Sequence, residues 1–279
     1  MKGGPTVASD SSAAPSVAGA DSAILGFGGQ VVAIAIMEVT KLLRDPTEII
    51  SRAIQPVLWL VVFGEVFTRT HAIPTGALSY LEFMAPGVLA QGVLFSAIFF
   101  GIAVIWERDL GIVHKLLASP APRTTLVLGK AAAAGLRGLP QAIMIYLLAA
   151  VLGARVAYGP GPVLTALGFV ILGSGLFATF SLIIACLVRT RERFMGIGQL
   201  LTMPLFFASN AIYPLAIMPR WLQVVARVNP LTYVVDALRG LMIEGGHSAL
   251  GFGGDLAFPA AAFVVLLAIA SRLYPGLVR

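Results

Sequence analysis

Charge is what this sequence has least of. Asp, Glu, Lys and Arg make up 11% of its 279 residues and apolar residues 58%, with a mean hydropathy of +0.92. A soluble domain spreads charge over its whole surface, so that class is excluded. Cysteine is nearly absent too. Cys186 stands alone, which excludes an intrachain disulfide and a thiolate metal cluster. The three histidines, His71, His114 and His247, lie far apart and offer a metal centre little to build on. No G-x-x-x-x-G-K-[ST] phosphate loop occurs. Gly129-Lys130 lacks both the preceding glycine and the following hydroxyl residue, so no ATP hydrolysis is expected on this chain. Glu65, Glu82, Asp236, Glu244 and Asp255 form no pair by spacing, and no catalytic residue is assigned. The net charge of +6 falls between apolar runs, where it sets topology and needs no nucleic acid to explain it.

What remains is a series of uncharged windows of about 20 residues, long enough to cross a bilayer as helices. The expected fold is an all-α integral membrane protein with six transmembrane helices, near 49–67, 83–106, 131–152, 163–188, 194–213 and 258–273. Residues 1–29 are Pro/Gly/Ser/Ala-rich and lack the basic start and apolar core of a signal peptide, so a disordered cytoplasmic tail is expected. Over 31–44 an apolar stripe (Val32, Ile36, Val39, Leu43) opposes Glu38, Lys41 and Arg44. This pattern predicts an N-terminal interfacial helix, ended at Pro46, and fits a short helix docked on a partner as the alternative. Pro56 and Gly64 are expected to bend the first span.

The stretch that organises the chain is "ERDLGIVHKLLASPAPRTTLVLGK", residues 107–130. Its four basic residues put it in the cytoplasm. Leu110, Val113, Leu116 and Leu117 recur at helical spacing and Pro120 and Pro122 end the run, as in a short amphipathic helix held between two spans. The same periodicity fits a partner contact or a plain membrane-surface linker. Arg189, Arg191 and Arg193 mark a second cytoplasmic loop. Six spans with both termini inside also place Lys2, Lys41, Arg44, Arg52, Arg272 and Arg279 there, leaving Arg69, Arg155, Arg220, Arg227 and Arg239 outside.

The last outer segment, 214–255, carries two short helical repeats: Trp221, Val224, Val225 and Val228, then Val234, Ala237, Leu238 and Leu241. They are too brief to span. Short re-entrant helices, with Arg220, Arg227, Asp236 and Arg239 facing water or one another, compete with a surface helical cap. Arg137 and Pro140 are placed near the inner end of the third span, and the middles of the spans read as uncharged. That argues against a proton or sodium relay, as in a secondary transporter not driven by ATP, which stays open as an alternative.

Two of these stretches together, "ERDLGIVHKLLASPAPRTTLVLGK" and "NAIYPLAIMPRWLQVVARVNPLTYVVDALRGLM", resemble the permease subunit of an ABC-2-type exporter, over residues 30–279 taken as one transmembrane domain. The resemblance implies a plasma-membrane protein that pairs with a second copy of itself or a similar permease, and with a separate ABC ATPase subunit that holds ATP and Mg. It implies that Glu38, Lys41 and Arg44, with Glu107, Arg108, Asp109, Gly111, Val113, Leu116 and Leu117, meet that ATPase. Asn210, Tyr213, Pro214, Asn229, Pro230, Tyr233, Asp236 and Arg239 would belong to the pathway or outer gate. The expected cargo is an amphipathic drug-like or lipid-like compound, with a lipid-linked polysaccharide as the alternative. A cysteine placed at Ala118 is expected to react with membrane-impermeant reagents only from the cytoplasmic side; labelling from outside intact cells would reverse the topology.

Overall fold

The computed structural model describes residues 54–70, 73–118, 122–188 and 190–278, together with positions 29, 36 and 40. The expected tail and the polar side of the expected interfacial helix (Glu38, Lys41, Arg44) lie outside the described residues. The described chain is helical, with one isolated antiparallel bridge between Val156 and Ile243. Four helices are long and apolar enough to cross a membrane. We label the α-helices in chain order: α1 Glu65–Thr70, α2 Tyr80–Asp109, α3 Ile112–Leu117, α4 Arg123–Val151, α5 Pro160–Leu187, α6 Arg191–Phe207, α7 Arg220–Val228, α8 Pro230–Met242 and α9 Phe252–Leu273.

Local chemistry sets the ends. The Ser79 hydroxyl accepts from Glu82 N at 3.2 Å and the Glu82 carboxylate from Ser79 N at 2.8 Å, a reciprocal cap that starts α2. This moves the helix start ahead of the expected 83, because Glu82 serves the cap and is not repelled from the span. Gly111, at φ +72°, breaks the chain between α2 and α3. Pro160 and Pro230 each fill a first helical position, where a missing N–H costs nothing. Ahead of α1, the bend expected from Pro56 and Gly64 takes the form of a π-helical turn, Trp59–Gly64.

Two expected boundaries move more. α4 begins at Arg123, eight residues before the expected start, which puts Arg137 at the midpoint of a 29-residue helix instead of near its end. The middles of the spans are therefore not free of charge. α6 stops at Phe207 after 17 residues, and 208–213 turn back, with Ser209, Asn210 and Ala211 buried. Ser209 Oγ stabilises that turn by donating to Phe206 O at 2.6 Å and accepting from Ala211 N at 3.3 Å.

α5 is the centre of the bundle, packing against α2, α4, α8 and α9. Apolar burial drives little helix association when the solvent is itself hydrocarbon, so close approach through small residues decides the packing. Gly101 of α2 faces Ser181 of α5. The Ser181 hydroxyl accepts from Gly101 N at 3.1 Å and donates to Ile98 O at 2.6 Å, a clasp on the α2 backbone. Gly135 and Gly138 of α4 lie against Ile171 and Ser174 of α5. Gly87 lies against the turn after α6, where an added Cβ would stand 2.2 Å from Ala211 O.

The two ends of the bundle differ in charge. The end carrying α3 holds seven described basic residues (Arg108, Lys115, Arg123, Lys130, Arg191, Arg193, Arg272) against Glu107, Asp109 and Glu192. The opposite end balances Arg69, Arg155, Arg220, Arg227 and Arg239 with Glu65, Glu82, Asp236, Glu244 and Asp255. We call them the basic and the neutral end. Gly87→Ala is expected to destabilise the folded protein by about 1–3 kcal/mol through overpacking. Gly168→Ala, with open space around its Cβ, should leave the melting temperature unchanged or slightly raised. Thermal denaturation of both variants in one detergent checks the contrast.

Candidate functional site

At the basic end, the last turn of α2 brings Glu107, Arg108 and Asp109 onto groups far away in sequence. Glu107 Oε2 accepts from Lys130 Nζ of α4, a pair largely shielded from solvent. Asp109 lies between two guanidinium groups, with Arg108 Nη2 at 3.0 Å and Arg191 Nη2 of α6 at 2.7 Å. The Arg191 guanidinium also stacks on the Trp106 ring at 3.8 Å. One helical turn therefore ties α2 to both α4 and α6. The expected single helix through 107–117 is two pieces: Glu107, Arg108 and Asp109 belong to α2, and Gly111 separates them from α3. Within α3, Val113 is fully buried and Leu116 and Leu117 partly so, while Leu110 is 68% exposed and leaves the expected stripe. The closing 3-10 turn, Tyr274–Val278, packs beneath α3 and buries Tyr274 completely. No periodicity in the sequence pointed to that wedge.

At the neutral end, Arg239 of α8 is 7% exposed and reaches two other elements. Its Nη2 donates to Asn210 O at 2.7 Å, its Nε donates to Phe83 O at 3.3 Å, and its guanidinium lies 3.8 Å above the Phe83 ring. Asp236, one turn earlier on α8 and 1% exposed, stands 4.0 Å from Arg239. Asp236 also accepts from Asn210 Nδ2 at 3.3 Å, Leu250 N at 2.8 Å and Ser248 Oγ at 3.1 Å. The same hydroxyl lies 2.7 Å from Asp255 Oδ2 at the start of α9. Asp236 and Asp255 are thus bridged by a serine that spacing could not single out, correcting the expectation that these carboxylates form no pair. Asp236 and Arg239 face one another, as one of the expected arrangements had it, but buried and not toward water. Starting α9 at Phe252 instead of 258 follows, because Asp255 finds Ser248 and a helix N-terminus.

The other residues expected at the pathway or outer gate lie in the same region. Asn229 caps α8, accepting from Leu231 N at 3.0 Å, while its Nδ2 donates to Leu205 O at 2.6 Å. Tyr233 OH donates to Arg227 O at 2.8 Å, and its ring stacks on Phe258 with centroids 4.4 Å apart. Tyr213 OH donates to Phe207 O, and burial pushes its phenol above the ordinary value. Pro214 precedes the 3-10 turn Leu215–Ile217, and Pro230 opens α8. Outside this knot, Arg155 meets Glu82 through Nε at 2.8 Å and Nη2 at 3.2 Å. That hydrogen bond with the carboxylate holds the guanidinium above its usual value. Arg220 and Arg227 are exposed, and α7 turns its apolar residues outward: Trp221, Val224, Val225 and Val228 are all exposed.

Among the described residues no group of three or more His, Cys, Asp or Glu is placed to hold a metal ion. One set of ion pairs joins three helices at the basic end, and a second joins turns and short helices at the neutral end of a bundle with four long apolar helices. That defines a multi-pass α-helical membrane protein of the permease kind. The chain belongs to the ABC-2 type transporter family, whose pattern matches residues 29–243, and it is a permease subunit of an ABC-type transporter. It is 30% identical over 218 residues to the putative transport permease ycf38 of Cyanophora paradoxa, covering 77% of this chain and 74% of that one. It is 26% identical over 236 residues to the daunorubicin resistance ABC transporter permease protein DrrB1 of Streptomyces coeruleorubidus (82% and 80%). Against nodulation protein J of Sinorhizobium fredii the identity is 26% over 213 residues (75% and 78%).

Asp236→Asn is expected to destabilise the protein by about 3–5 kcal/mol, because it leaves the Arg239 cation buried without its carboxylate. The double variant Asp236→Asn, Arg239→Met should recover part of that loss. Equal melting temperatures for wild type and Asp236→Asn would remove the ion pair from the seal.

Proposed function

We propose that this chain forms the membrane pathway of an ATP-driven exporter, working as a pair of permeases with a separate nucleotide-binding subunit. The carrying observation is the knot at the basic end. A partner pressing on α3 meets a helix that buries Val113, packs against α2 and the closing 3-10 turn, and follows directly on α2, which ion pairs join to α4 and α6. A side push there is passed into three helices at once, whereas a loose loop would absorb it. Glu38, Lys41 and Arg44 would add to the same docking face. The excess of basic residues argues that this end is cytoplasmic, with both termini on that side. Six crossings are counted by adding residues 54–70 and α6 to the four long helices. Each has 17 residues, about 25 Å of helix against a hydrocarbon core of about 30 Å. The outward apolar face of α7 favours a re-entrant placement in the outer leaflet over a solvated cap.

For cargo, an amphipathic drug-like or lipid-like compound leads. The daunorubicin resistance permease supports it, as does the scarcity of charge along the spans. A lipid-linked glycan is the second reading, and the test separates the two. The purified chain is expected to turn over no ATP, and to support turnover only with its cognate ATPase. In the reconstituted complex, Val113→Pro or Asp109→Lys should cut export at least tenfold while ATP hydrolysis persists; normal export by both would remove the basic-end knot from the coupling role. Stimulation of ATPase activity by polyprenyl-linked glycans but not by amphipathic drugs would replace the preferred cargo.

A further inference from the structure

Three glutamines that take no part in either knot line one groove in the middle of the bundle: Gln55 on the 54–70 helix, Gln91 on α2 and Gln141 on α4. None of the three carboxamides has a hydrogen-bond partner among the described residues, and Gln91 is only 4% exposed. At 1.5 Å per residue, Gln91 lies about 16 Å below the neutral end of α2 and Gln141 about 15 Å below that end of α4, near the middle of a hydrocarbon core about 30 Å thick; Gln55, about 22 Å below Thr70, lies about one helical turn nearer the basic end. At that depth an amide without a partner is costly, so polar groups there face a pathway or a ligand.

The surroundings are built to keep the amides in place. Gln141 lies across Gly92 of α2 so closely that an added Cβ there would stand 1.5 Å from its Nε2; only glycine leaves the amide its position. The wall from the 54–70 helix lies beside the π-turn at Trp59–Gly64, a local irregularity often found at functional sites. Phe95 and Phe99 line the groove, of about 200 Å³, and also a second, apolar cavity of about 270 Å³ beside Ile102 and Phe194. Polar and apolar spaces thus share one aromatic wall. Carboxamides donate and accept but do not neutralise charge, and Arg137 stands one turn from Gln141 on α4, which disfavours a cation.

We propose that Gln55, Gln91 and Gln141 form a mid-membrane binding site for the uncharged hydroxyl- and carbonyl-bearing part of an amphipathic cargo, whose apolar body rests on Phe95 and Phe99. The proposal rests on the exporter reading and deepens it. The test is equilibrium binding to the full chain in lipid nanodiscs, without ATP, using an uncharged anthracycline aglycone and, as an apolar control, anthracene. Wild type is expected to bind the aglycone more tightly than anthracene. Gln91→Leu and Gln141→Leu should each weaken aglycone binding about tenfold while anthracene affinity stays within twofold. Gln55→Leu, at an exposed position, should do the same without touching buried packing. Equal binding of the two probes by wild type, unchanged aglycone binding by all three variants, or parallel loss of both probes would each overturn the site. Because no ATP is present, a chain that exports but fails this test loses only the glutamine site. One that passes but never exports in the reconstituted complex loses only the exporter reading.

Discussion

Much of this molecule answers to one constraint: inside hydrocarbon there is no water to satisfy a polar group, so a polar side chain there is met by another part of the chain or opens onto a cavity. The Ser181 hydroxyl meets it twice, accepting from the α2 backbone and donating to it. Such an arrangement is open only to a small side chain, and only where the facing position is a glycine such as Gly101. α5 is central for that reason. It is nearly uncharged, rich in Gly, Ala and Ser, and lets α2 and α4 approach to backbone distance. The same constraint explains why the charges of α2 sit at its two ends, each paired.

The two paired ends are not alike. At the basic end Asp109 and Arg191 are each about a third accessible, so their pair is screened and weak, whereas Glu107 and Lys130 are largely shielded. At the neutral end Asp236 and Arg239 are buried, and removing either leaves an uncompensated charge, while Arg69, Glu65 and Arg155 are exposed in their pairs. Each end thus combines a shielded pair with exposed ones, and what sets the neutral end apart is that its shielded pair lies in a network of turns and short helices.

The sequence was most legible where structure is local. The charge-poor windows, the two short helices meeting at Asn229-Pro230, and the helix over 112–117 all follow from periodicity, proline and glycine. Contacts made across the chain were not legible. Glu107 and Lys130 are 23 residues apart, Asp109 and Arg191 82, and Arg239 and Phe83 156, and no spacing rule reaches that far. The boundary errors share a cause. Glu82, Lys130 and Asp255 were read as too polar for a span, whereas each has a cap or partner that lets the helix run on past it. Taking α4 to start late also hid Arg137 in the middle of the helix, so the middle of the bundle looked more apolar than it is. The glutamines carry no periodic signal, and only their convergence from three helices sets them apart.

The two knots also share their partners. Asp109 on α2 meets Arg191 on α6 at the basic end. At the neutral end Arg239 donates both to Phe83 O on α2 and to Asn210 O in the turn that ends α6. One charged residue at each end thus pins the same two helices together. α2, at 30 residues and about 45 Å, is clasped by Ser181 at Ile98 and Gly101 and lies against the α6 turn at Gly87. Between the two pins the helices are not packed throughout: the apolar cavity of about 270 Å³ lies there, walled by Phe95, Phe99 and Ile102 of α2 and by Phe194, Met195 and Gly198 of α6. Asn210 and Asp236 meet that guanidinium directly, Ser248 joins it through Asp236 and Asp255 through Ser248, so one network holds α8 and the start of α9. Groups from α2, α8, α9 and the turn after α6 are thus held in one buried network, whereas the pair that joins α2 to α6 at the far end is one that solvent reaches.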